Sequence, residues 1–111
     1  MDQQIKKQWV EALRSGKYKQ GTGHLRTGDN YCCLGVLCDL NEYTNWTPVC
    51  EMADEIVYEL QPDKNELTYW PSGYIRDWAG ISKDNEDHLI HLNDTLECNF
   101  NQIADYIENN L

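Results

Sequence analysis

The chain has no run of about 18 apolar residues, which excludes a membrane-spanning helix. No CxxC pair occurs and no two histidines stand at zinc-finger spacing, so nothing marks a structural metal site. Internal repeats, linkers and low-complexity tracts are also missing, as are the dinucleotide fingerprint G-x-G-x-x-G and the P-loop GK[ST]. The start, MDQQIKKQWVEALRSG, has charges at helical spacing and no apolar stretch of signal-peptide type. A reducing, cytoplasmic setting is therefore expected, with the five cysteines as free thiols.

Positive charge is scarce too. Nine basic residues face nineteen acidic ones, for a net charge of −10. Six of the nine (Lys6, Lys7, Arg14, Lys17, Lys19, Arg26) fall in residues 1–27, and seventeen of the acids fall after them. An acidic body repels nucleic acid, which argues against duplex binding. It suits either simple solubility or docking on a basic partner.

What is present is enough large apolar side chain for one core in a single domain of 111 residues. Ile5, Trp9, Ala12 and Leu13 form one stripe of an amphipathic helix, and Gly16 supplies its stop. Glycines at 16, 21, 23 and 28 then break any helix and predict a small β-hairpin around Tyr18, Gln20 and Leu25. The segment YCCLGVLCDL (31–40) is apolar on every side, the mark of a helix buried all round, with Gly35 at a close backbone approach. Thr47-Pro48 predicts a helix opening, followed by a stripe of Met52, Ala53, Ile56, Val57 and Leu60. Residues 67–70 fit a short strand, Pro71 opens a helix ending at Gly80, and Leu89, Ile90 and Leu92 fit helix or strand equally. Asn99 caps a last helix with Phe100, Ile103, Ala104 and Ile107 inward. The expected class is α+β: a mostly helical single domain (1–111) with a small β-hairpin or sheet and a central buried helix.

The blocks ALRSGKYKQGTGHLR, YCCLGVLCDL, WPSGYIRDWAGI and LND followed by FNQIADYIE, in that order, resemble a family of small proteins of phage and bacterial genomes. The resemblance spans nearly the whole chain and is weakest over 41–66. It implies a phage or prophage accessory gene acting in the host cytoplasm. Small non-structural phage proteins of this kind often counter bacterial immunity, by sequestering a nucleotide signal or by inhibiting an effector.

Three sets of residues could carry function. The glycine-rich basic segment around Tyr18, Lys19 and Arg26 has amides and a cation able to cradle a phosphate, with Trp46 and Trp70 as stacking surfaces for a base. Asn93 and Asp94 would contact a ligand or partner, or else cap a local turn. The third set is enzymatic. Cys33-Leu34-Gly35 is similar to the nucleophile segment of peptidoglycan-cleaving cysteine peptidases of the NlpC/P60 type. That similarity would make Cys33 the nucleophile and His88 or His91 the base, with Asn93 or Asp94 orienting it and Gln20 as an oxyanion donor. Leu34 stands where those enzymes prefer serine, and an apolar setting raises a thiol's pKa.

The expectation is a non-catalytic binder of a phosphate-bearing nucleotide that needs no cofactor, with homo-oligomers left open. The alternatives are a protein inhibitor working through the acidic surface, with Glu51, Asp54, Glu55 and Glu59 on one face, and a cysteine hydrolase.

Overall fold

A computed structural model describes residues 1–42, 44–52, 55–60 and 73–111. The first helix, α1 (Gln3–Arg14), starts where Asp2 accepts hydrogen bonds from the amides of Gln4 and Ile5. It ends before Gly16, whose φ of 76° is the left-handed stop that glycine adopts without strain. The predicted stripe faces inward: Trp9, Val10 and Leu13 are buried, with Ile5 and Ala12 packed against the core.

Three two-residue strands follow: β1 (Lys19–Gln20), β2 (Arg26–Thr27) and β3 (Asn30–Tyr31). A hairpin is present, but across Gly28-Asp29, where β2 and β3 pair antiparallel with Gly28 at φ 57°; β1 lies parallel to β3, and Tyr18 and Leu25 fall just outside the strands.

The second helix, α2 (Cys33–Leu40), is the central one. Cys33 to Cys38 are all buried, so the thiols of Cys33 and Cys38 pack as small apolar groups. Cys32 caps it, its Sγ accepting from the Gly35 amide at 3.3 Å. Gly35 is the close approach the sequence implied. A Cβ placed there would stand 1.9 Å from the Leu25 carbonyl oxygen.

Residues 46–60 correct the sequence reading. In place of a helix opening at Thr47-Pro48, the chain forms β4 (Trp46–Met52) and β5 (Glu55–Leu60), an antiparallel pair. The order is β1-β3-β2-β5-β4, with Arg26 opposite Tyr58 and Thr27 opposite Val57. Two influences outweigh the helical stripe. Thr47, Val49, Ile56 and Val57 are β-branched, and β2 offers β5 an open edge to pair with. Pro48 is tolerated because β4 is the outer strand and its register shifts between Pro48 and Cys50. The strand expected over 67–70 and the helix opening at Pro71 lie outside the described residues.

Two helices, α3 (Gly73–Ala79) and α4 (Lys83–Ile90), come next. Gly80 at φ 73° ends the first, and a Ser82–Asn85 capping box starts the second. The ambiguous segment around Leu89 to Leu92 is helical, and it widens into a π-helical turn over His91–Thr95. The last helix, α5 (Phe100–Asn110), has the predicted Asn99 cap, completed by Gln102, and buries Phe100, Ile103, Ala104 and Ile107. The class is α+β, with α2 enclosed by α1, α4 and strand β3.

Candidate functional site

The short sheet decides which side chains meet. Residues opposite one another in register share a face, and successive residues alternate. Gln20, Tyr31 and Arg26 form one cross-strand row; Lys19, Asn30 and Thr27 form the other. Lys19 and Arg26 therefore lie on opposite faces, although the sequence offered them as one basic pair.

On the Arg26 face a compact aromatic and polar cluster assembles. The Arg26 guanidinium sits 5.2 Å from the Tyr31 ring centroid and 5.7 Å from that of Trp46, within cation–π range. Its Nε also donates to the carbonyl of Gly28 at 2.8 Å, which fixes the arginine against its own turn. Tyr31 meets Tyr18 edge-on at 5.0 Å and Trp46 at 5.9 Å. Asp39 closes the cluster from α2, accepting from the Tyr18 hydroxyl at 2.7 Å and the Trp46 indole at 3.0 Å. Burial, and then the bond to Asp39, push the Tyr18 hydroxyl's pKa upward, so it stays a donor.

Thus Trp46 joins Tyr18 and Arg26 of the glycine-rich segment, while Trp70 lies outside the described residues. Sequence reasoning missed Tyr31 and Asp39. A signal for Asp39 was present: a lone carboxylate in an otherwise apolar buried helix must find donors.

Two of the glycine amides are committed elsewhere. Gly21 donates to the Tyr31 carbonyl at 2.8 Å and Gly28 to that of Ile56 at 2.6 Å.

Asn93 and Asp94 occupy a second polar cluster. Asn93 is 1% exposed and makes four hydrogen bonds. Its Oδ1 accepts from Gln20 Nε2 at 3.0 Å and from the Cys33 amide at 3.2 Å. Its Nδ2 donates to the Gly21 carbonyl at 2.9 Å and to Asp94 Oδ1 at 2.7 Å. Gln20 donates further to the Cys98 carbonyl at 2.7 Å. The side chain thus ties the π-helical turn to β1 and to the amino end of α2.

The residues of the hydrolase alternative are not arranged as that chemistry requires. Cys33 is fully buried, its Sγ 3.7 Å from the Leu89 carbonyl, and desolvation pushes its thiol well above the usual range. Burial likewise raises Cys32, to about 12. His88 and His91 are both exposed, and His88 stacks on Tyr106 with centroids 4.8 Å apart. Gln20 and Asn93 bond each other rather than facing a thiolate.

Among the described residues no three His, Cys, Asp or Glu side chains gather as a metal site, and no helix is long and apolar enough to cross a membrane. No curated protein and no solved structure matches the chain. One family model does, over residues 1–111, and the chain accordingly belongs to the family described as a domain of unknown function, DUF8296.

Proposed function

We propose that this protein is a phage-type accessory protein that acts by binding, and that it withholds a phosphate-bearing nucleotide signal from bacterial immunity. The observation that carries the ligand class is the Arg26 guanidinium held against Tyr31 and Trp46 on a half-buried face. A guanidinium fixed on aromatic faces keeps its planar donors in one orientation, and phosphate is an anion that such a fork recognises. The neighbouring rings are anchored by Asp39 and supply surface on which a base can stack. The immunity context comes from the resemblance of the sequence blocks.

Replacing Arg26 by alanine should weaken nucleoside diphosphate binding at least tenfold by isothermal titration calorimetry, a loss of about 1.4 kcal/mol. The variant should remain folded by circular dichroism. Binding heats unchanged in the folded variant would remove this reading.

One observation favours a second reading, inhibition of an immune protein through the acidic surface. Leu96 is 56% exposed, next to Glu97 at φ 52°, on the acidic part of the chain. The side chains of Glu51, Asp54, Glu55 and Glu59 lie outside the described residues. This reading predicts a protein complex whose affinity falls steeply between low and physiological salt. Salt-independent association would count against it.

A further inference from the structure

A shallow, open surface hollow of about 340 Å³ shares Tyr18 with the aromatic cluster. Its composition suits an aromatic ring with a polar edge. Ala12 and Leu40 supply apolar surface, and Tyr18 adds an aromatic wall. Gln8 and Glu11, three residues apart on α1, stand on the same side of that helix and both line the hollow. Lys17 lines it as well.

The turn that ends α1 places these groups. Ser15 Oγ donates to the Ala12 carbonyl at 2.7 Å and accepts from the Lys17 amide at 3.1 Å, which folds Lys17 and Tyr18 back beside the helix. Glu11 is exposed, and its carboxylate makes no hydrogen bond or ion pair with the described residues; the same holds for the Lys17 ammonium. In this strongly acidic protein, a lysine and a glutamate unpaired among the described residues leave both a donor and an acceptor at one hollow.

We propose that the hollow is a nucleobase pocket selective for a guanine-type edge, and this rests on the reading of the Arg26 cluster as a phosphate site. A carboxylate accepts two parallel N–H bonds, as it does from the guanidinium fork. Guanine presents such a pair at its ring N1–H and exocyclic amine, whereas adenine has an acceptor at ring N1. Glu11 takes that edge, the Tyr18 ring takes the base face, and Gln8 is placed to meet a remaining polar atom. The phosphates run toward Lys17 and Arg26. Tyr31 contacts both groups, its ring centroid 5.2 Å from the Arg26 guanidinium and 5.0 Å from the Tyr18 ring.

The test titrates the full chain with GDP, ADP and inorganic diphosphate by calorimetry, in the wild type and in the Glu11→Gln and Arg26→Ala variants. Glu11 is exposed and Glu11→Gln is isosteric, so folding is not at stake. GDP should bind at least tenfold tighter than ADP, and Glu11→Gln should erase that difference by weakening GDP at least tenfold. Equal affinity for GDP and ADP in the wild type, or a GDP affinity untouched by Glu11→Gln, overturns the pocket. If Arg26→Ala still weakens all three ligands in that case, the phosphate reading survives. Conversely, a GDP preference lost in Glu11→Gln but indifferent to Arg26→Ala supports the pocket and removes the phosphate reading. No binding of any probe overturns both.

Discussion

Gly35→Ala should destabilise the protein by about 3 kcal/mol or more, at or beyond the upper end for overpacked cores. The added Cβ would meet backbone: it would stand 1.9 Å from the Leu25 carbonyl oxygen and 2.9 Å from its carbon. A flexible side chain could rotate away, but this carbonyl is held. It accepts the Cys32 amide at 3.1 Å, directly before α2, and Leu25 is itself 1% exposed in the core. Relief would require α2 to separate from the strand hairpin, and every residue from Cys33 to Cys38 is buried, so the whole helix would have to move. For a chain of this length the loss corresponds to roughly 10 °C or more in Tm by differential scanning calorimetry. Gly73→Ala is the matched control. Among the described residues, the nearest atom to its added Cβ is the end of the Arg76 side chain at 3.9 Å, so a change within about 0.5 kcal/mol is expected there. A Gly35→Ala Tm within about 3 °C of wild type would contradict the packing described.

That glycine also shows what could be read from the residues alone. A glycine inside an all-apolar helix has few explanations besides close approach, so Gly35 was legible, though its neighbour Leu25 was not. Helices α1 and α5 were legible for a related reason. Each has a 3.6-residue apolar period bounded by a polar cap, Asp2 or Asn99, and both signals are local. The β4–β5 hairpin was not. Met52, Ile56 and Leu60 fall at helical spacing as readily as on strands, and the deciding factor was the open edge of β2, some thirty residues earlier. The candidate site divides the same way. Tyr18 and Arg26 stood out by composition, but the alternation of a two-residue strand sends Lys19 to the opposite face from Arg26. That depends on register, which sequence does not reveal.

Asn93 was the residue whose role was hardest to foresee, and removing it should have the other large effect. Read locally, an Asn-Asp pair after an apolar segment suggests a turn cap. Its actual partners beyond Asp94 are Cys33, Gly21 and Gln20, 60 to 73 positions away. Asn93→Ala strands the buried amide of Cys33 at the start of α2, the Gly21 carbonyl and one Gln20 bond together. Each orphaned buried group costs about 1–3 kcal/mol, and the half-buried ones recover part of that from water. A net loss of about 3 kcal/mol follows, readable as a lower urea midpoint at unchanged slope. Asn93→Asp separates the hydrogen bonds from mere volume. It keeps Oδ1 for Cys33 and Gln20 but turns Nδ2 into an acceptor facing the Gly21 carbonyl at 2.9 Å and Asp94 Oδ1 at 2.7 Å. Burial and Asp94 would raise the new carboxyl's pKa in the folded state above its unfolded value of about 3.9. A proton bound more tightly in the native state stabilises it at low pH, and that contribution disappears as pH rises through the folded-state pKa. The Asn93→Asp deficit relative to wild type should therefore be largest at neutral pH, shrink as pH falls through the raised folded-state pKa, and be smallest below about pH 4, where a protonated carboxyl again donates. A deficit that is flat from pH 7 to pH 4 would mean that Asn93 acts through shape rather than through its amide donors.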